Sequence, residues 1–110
     1  MHMLKKNSRV FVAGHNGLVG KAVHALLIKR EYKNILFKRK SELNLTNKEQ
    51  VNTFFKKHKP EFLIMCAARV GGIIANRDNP LEFLLENLAI EKNLLLAAKK
   101  YKIKRTIFLG

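Results

Sequence analysis

The sequence is poor in acid, cysteine and proline, and it holds no long apolar run. Eight Asp and Glu face 22 Lys and Arg, giving a net charge of +14 at pH 7. Such a balance admits binding to nucleic acid or to a membrane surface. However, the basic residues lie in short scattered clusters, at Lys5–Lys6, Lys38–Lys40, Lys56–Lys59 and Lys99–Arg105. No RNA-recognition signature and no zinc-ligand spacing accompany them, and no two histidines have metal-ligand spacing. All but the second cluster read as solvated surface, so neither a nucleic-acid nor a membrane partner is expected. A single cysteine, Cys66, excludes an intrachain disulfide and fits a reducing, cytoplasmic setting. The longest apolar run, "FLIMCAA" at 62–68, is far too short to span a bilayer. The opening "MHMLKKNSRVFV" contains no apolar core of a signal peptide.

What remains is regular. At 110 residues, 47% of them apolar, the chain is expected to form one domain with one core. "RVFVA" (9–13) is a nearly continuous apolar run, as a strand buried on both faces requires. A helix follows, with Val19, Ala22, Val23, Leu26 and Leu27 along one side. "NILF" (34–37) reads as a second strand. "TNKE" (46–49) matches a capping box built on Thr46 and Glu49, opening a helix with Val51, Phe54 and Phe55 on its apolar stripe and Pro60 at its end. "EFLIMCAA" (61–68) is a third strand. "GGIIANRDN" (71–79) is a loop, and Pro80 opens a long helix to about Tyr101 with Leu81, Leu84, Leu88 and Leu95 at helical spacing. "RTIFLG" (105–110) is a fourth strand. This βαβαβαβ order predicts an α/β fold: a Rossmann-type parallel sheet with right-handed crossovers and helices on both faces, the first part of a doubly wound domain.

The first strand runs into Gly14, Gly17 and Gly20. A helix N-terminus offers unpaired N–H groups and a positive dipole end to phosphate. Glycine at 14 permits the tight turn, glycine at 17 lets a pyrophosphate approach, and glycine at 20 lets the helix pack against the strand. The spacing is G-x-x-G-x-x-G, and it follows a buried strand and opens a helix, the context a dinucleotide site requires. His15 reads as a turn residue acting through its backbone. NAD-binding proteins place a carboxylate at the end of the second strand to accept from the ribose 2′-OH. Here the strand runs into Lys38, Arg39, Lys40 and Ser41, and the nearest acid, Glu42, follows them. That arrangement favours a 2′-phosphate, and so NADP(H).

"GHNGLVG", "KSELNL", "CAARVGGIIANRDNP", "FLLENLAIEKNLLLAA" and the closing "FLG" together resemble the GDP-L-fucose synthase family, from about Arg9 to Gly110. These are NADPH-dependent epimerase-reductases of the extended short-chain dehydrogenase/reductase superfamily. The glycine turn is common to the superfamily, whereas "ARVGGI" and "SELNL" are more specific. The resemblance implies that Gly14, His15, Asn16, Gly17, Leu18, Val19 and Gly20 hold the pyrophosphate. It puts Lys40 at the 2′-phosphate with Lys38 and Arg39 nearby, Asn44 and Leu45 by the adenine, and Ala67 and Ala68 along the cofactor. Leu109 and Gly110 would begin a further cofactor contact. Val70, Gly71 and Gly72 would form the loop between cofactor and sugar nucleotide, and Arg69 keeps a charge where lysine is common. The implied reaction epimerises GDP-4-keto-6-deoxy-D-mannose and reduces its ketone with hydride from NADPH, giving GDP-L-fucose, in an enzyme that is a homodimer at full length.

That chemistry uses a Tyr with a Lys four residues later, and a Ser. Tyr32 is followed at that spacing by Leu36 and Tyr101 by Arg105, so neither pair qualifies. No catalytic residue and no metal ligand is assigned. The expectation is that residues 1–110 form the N-terminal part of an NADP(H)-binding domain, a fragment inactive alone, with the fourth strand an exposed apolar edge prone to aggregation. The long helix, at the family's dimer interface, should also expose apolar surface. Three alternatives stand beside this reading: a piece of another nucleotide-sugar epimerase or dehydratase, a stand-alone non-enzymatic NADP(H)-binding module, and a charge-driven nucleic-acid binder.

Overall fold

The computed structural model describes residues 3–14, 18–66 and 80–109. Its elements run β1 (Arg9–Ala13), α1 (Leu18–Lys29), β2 (Asn34–Leu36), α2 (Lys48–His58), β3 (Phe62–Cys66), α3 (Pro80–Lys100) and β4 (Arg105–Leu109). All strand pairs are parallel, in the order β2-β1-β3-β4. The βαβαβαβ reading and the Rossmann-type class therefore hold. β2 stops at Leu36, one residue short of the expected run.

Alternation along the strands divides the core. Phe11, Ala13, Leu63 and Met65 face α2 and α3, meeting Val51, Phe54, Phe55, Leu94 and Ala97. Val10, Val12, Phe62, Ile64 and Cys66 face α1, where Leu27 is buried and Val23 packs alongside. Every residue of β3 is buried, as expected of a central parallel strand. On the α2 side the rings of Phe11 and Phe54 lie 4.5 Å apart, and Phe55 meets Phe11 edge-on at 5.9 Å.

Two helix faces differ from the sequence expectation. On α1, only Val23 and Leu27 of the five named residues turn to the sheet; Val19, Ala22 and Leu26 are exposed. On α3, Leu81, Leu84, Leu88 and Leu95 point outward with Leu85, and Leu81 is 65% exposed. The sheet side of α3 is instead Asn93, Leu94 and Ala97, with Ile90, Ala98 and Tyr101 beside them. The helix carries apolar residues on two opposite faces, and the smaller set lies against the core, where Ala97 allows close approach. The expected exposure of apolar surface on this helix is therefore seen. β4 is one of the two edge strands among the described residues, and its Phe108 is 56% exposed.

The cap of α2 also shifts by one residue. Asn47 is the N-cap, its Oδ1 accepting from the Gln50 amide at 3.1 Å. Thr46, the expected cap, spends its hydroxyl on Asn44 Oδ1 at 2.6 Å. Asn outranks Thr as an N-cap, and the Thr46 hydroxyl is already engaged by Asn44. α2 ends where Lys59 takes a left-handed conformation (φ 47°) and donates its N–H to Phe55 O, just before Pro60.

At the opposite end of the sheet from the glycine turn, Glu61 ties three strands together. Its carboxylate accepts from the Arg9 amide at 3.0 Å and from Lys104 Nζ at 2.9 Å, with Arg9 Nη1 at 3.5 Å. The Lys104 hydrogen bond, then the Arg9 amide, hold the Glu61 carboxyl below its ordinary value of 4.5. A depressed carboxylate favours the fold fully above its ordinary value, and the gain is lost as pH falls through the lowered one. Glu61→Gln is expected to cost about 1 kcal/mol at pH 7. Its melting temperature should converge on that of the parent chain as acid protonates Glu61, which melts followed by circular dichroism from pH 7 to pH 3 will check.

Candidate functional site: the crevice at the strand ends

Chain direction reverses across the sheet between β1 and β3: from β1 the chain crosses to β2 on one side, and then to β3 on the other. In open α/β sheets ligands bind outside the carboxyl ends of the strands at this switch point. Gly14 follows β1 there and Cys66 ends β3.

The two strand ends are pressed together. A Cβ on Gly14 would stand 2.7 Å from the carbonyl oxygen of Cys66 and 3.0 Å from its Cβ, and the φ of Gly14 is +156°. Only glycine allows this approach. Gly20, in the first turns of α1, is buried in the same place. A Cβ there would meet Gly14 O at 3.4 Å, the Phe37 ring at 3.6 Å and Cys66 Cβ at 3.8 Å, all ordinary contacts. The ends of β1, β2 and β3 thus converge on the start of α1. No acidic side chain lies in the first turn of α1 to compete with an anion. Burial pushes the Cys66 thiol up, so it stays protonated.

His15, Asn16, Gly17, Ala67, Ala68, Arg69, Val70, Gly71, Gly72 and Gly110 lie outside the described residues. So does the side chain of Leu18; its backbone begins α1. Val19, in the same first turn, is exposed. Leu109 packs against the α1-side core opposite Cys66 in the β3–β4 register.

The segment after β2 is a turn held by its own acid. Glu42 Oε1 accepts from the Arg39 amide at 3.0 Å, while Arg39 O accepts from the amides of Glu42 and Leu43. Among the described residues the side chains of Lys38 and Arg39 have no hydrogen-bond or ion-pair partner. Lys40 Nζ is 3.2 Å from Glu86 Oε1 on α3. Lys38 is felt at the end of α2: His58 is lowered from its ordinary value of 6.5 by burial first, then by Lys57 and Lys38. A lowered histidine favours the fold fully above its ordinary value, and stability falls as pH drops below it because the unfolded chain takes up the proton first.

Asn44 keeps its Oδ1 on Thr46 and its amide on Gln50 Oε1 at 2.9 Å. Leu45 corrects a simple adenine contact. The residue is 1% exposed, its side chain packed in the α2/α3 core, and cannot reach a base from there. Sequence reasoning missed the residue that holds this segment down. Asn93 of α3 is buried and donates from Nδ2 to Leu45 O at 2.9 Å. An Asn at the head of the apolar run "NLLLAA" was the available signal. It also missed the half-buried His24, whose ring stacks on Phe37 with centroids 4.8 Å apart.

Among the described residues no group of three His, Cys, Asp or Glu could hold a metal ion, and no helix is long and apolar enough to cross a membrane.

The chain is similar to known proteins along nearly its whole length. The chain is 41% identical over 108 residues to GDP-L-fucose synthase 1 of Arabidopsis thaliana, covering 98% of this chain and 33% of the relative. It is 37% identical over 102 residues to GDP-L-fucose synthase of Escherichia coli, covering 93% and 32%. Among solved structures it is similar to the GDP-mannoheptose C4 reductase of Campylobacter jejuni with NADP bound, at TM-score 0.81 and 32% identity, covering 98% of this chain and 34% of that one. The chain spans about a third of the length of the curated relatives it matches. Residues 10–110 match as a unit, and the chain belongs to the NAD dependent epimerase/dehydratase family.

Proposed function

We propose that the chain is the pyrophosphate- and adenosine-binding part of an NADP(H)-dependent epimerase-reductase that converts GDP-4-keto-6-deoxy-D-mannose to GDP-L-fucose. The observation that carries the cofactor choice is at the end of β2. Glu42, the acid nearest in sequence after the end of β2, has its Oε1 engaged by the Arg39 amide. Three cations stand beside it at Lys38, Arg39 and Lys40. The GDP-L-fucose synthases among the relatives and the NADP-bound C4 reductase support the reading.

In this reading the start of α1 and the turn from Gly14 to Gly20 hold the pyrophosphate. Lys38, Arg39 and Lys40 face the 2′-phosphate, and Asn44 borders the adenine. Ala67 and Ala68, then Leu109 and Gly110, run along the cofactor. Val70, Gly71 and Gly72 lie toward the sugar nucleotide. The bound cofactor supplies hydride. The residues of this chain bind and orient it, and the Tyr-x-x-x-Lys pair of such reductases is not among them, so turnover by the chain alone is expected to be nil. The outward leucines of α3 fit a homodimer of the longer protein.

Calorimetric titration of the whole chain with 2′,5′-ADP and with 5′-AMP tests the cofactor assignment. The expected result is at least roughly tenfold tighter binding of 2′,5′-ADP, narrowing as salt is raised. Equal affinities would remove the NADP(H) reading.

A further inference from the structure

Lys40 is the member of the cation triplet that has an anionic partner among the described residues. Its Nζ lies 3.2 Å from Glu86 Oε1, joining the segment after β2 to α3. Both side chains are about half exposed, at 50% and 42%. A pair this open contributes little to folding. Its consequence lies in what shares the space. An incoming phosphate must compete with Glu86 for Lys40, and it meets the carboxylate's repulsion within a side chain's reach. Glu42 Oε1 is turned to the Arg39 amide, and among the described residues the ion pair of Lys40 is with Glu86.

We infer that Glu86 is a specificity-determining residue, holding Lys40 in place and tempering the preference of the site for a 2′-phosphorylated nucleotide. The inference rests on the NADP(H) reading above. A compound without the 2′-phosphate places no dianion at Lys40 and feels Glu86 weakly. Glu86 therefore acts on the ratio of the two affinities more than on either scaffold contact.

The test is titration of the whole chain and its variants with 2′,5′-ADP and 5′-AMP at low and high salt. Glu86→Gln keeps the size of the side chain and removes its charge. It is expected to tighten 2′,5′-ADP by roughly threefold to tenfold at low salt, with 5′-AMP changed by less than about twofold. The gain should shrink at about 0.5 M salt. Glu86→Asp retains the charge and should stay near the parent ratio. In a Lys40→Met background, Glu86→Gln should have much less effect, because the cation it releases is gone. A merely structural role would move the melting temperature and both affinities together. An unchanged ratio in Glu86→Gln, or an equal shift for both nucleotides, overturns the inference while leaving the cofactor reading intact. A parent chain that does not distinguish the two nucleotides overturns the cofactor reading, and this inference with it.

Discussion

Replacing Gly14 by alanine is expected to destabilise the chain by about 3 kcal/mol or more, a large part of the stability of a domain this size. The added methyl would sit 2.7 Å from a backbone carbonyl, that of Cys66. A backbone atom in the central strand cannot swing aside as a lysine tip can. Relief requires β1 and β3 to separate where they pair through Ala13 and Met65. The φ of +156° adds strain, because L side chains rarely adopt it. Gly20→Ala is the informative contrast. Its methyl meets neighbours at 3.4–3.8 Å, which is ordinary packing. Alanine also favours a helix over glycine by about 0.8–1.0 kcal/mol. That variant should melt within a few degrees of the parent or slightly above it. Thermal and urea melts of both variants check the pair. A Gly14→Ala chain as stable as the parent would show that the strand ends are not held this close. Gly14 and Gly20 thus have unequal tasks: the first lets two strand ends close on each other, and the second leaves room for a single methyl.

The sequence carried the order of elements plainly, because parallel strands buried on both faces are continuous apolar runs and the helices between them are amphipathic. β1 was legible to the residue, since "RVFVA" begins after a charge-rich segment and ends on glycine. The faces of the helices were less legible. Helical spacing finds a stripe without saying which side it faces, and α3 has two. Its leucine stripe is the more apolar, yet Asn93, Leu94 and Ala97 are the buried set. On α1 the named stripe was broader than the face that one side of a short sheet can cover. The candidate site was legible where backbone chemistry set it, in the glycines and in the missing carboxylate after β2. Contacts between distant segments, Lys40 with Glu86 and Asn93 with Leu45, leave no local pattern. Nor does spacing show that a leucine beside a ligand segment, such as Leu45, is turned into the core.

Asn93 is the second position where a large effect is expected. It lies in the buried face of α3, 9% exposed, and its Nδ2 donates to Leu45 O at 2.9 Å. That bond spans the core from the last long helix to the segment before α2. Asn93→Leu keeps the branched outline of the side chain but with bulkier methyl groups, and removes the donor, leaving a buried carbonyl with one partner fewer. The cost of such a loss is about 1–3 kcal/mol, and crowding from the branched leucine adds to it. A fall in melting temperature of roughly 8–16 °C follows for a domain of this length, taking about 2 kcal/mol as the net effect. The consequence should reach the candidate site, because Leu45 adjoins Asn44, and the same segment carries Arg39, Lys40 and Glu42. Nucleotide affinity should therefore fall with stability, for 5′-AMP as well as 2′,5′-ADP. That shared loss separates a scaffold residue from Glu86, whose replacement is expected to move the two affinities apart. If Asn93→Leu melts like the parent, the bond to Leu45 does not anchor the segment, and another contact must hold the turn beneath the crevice.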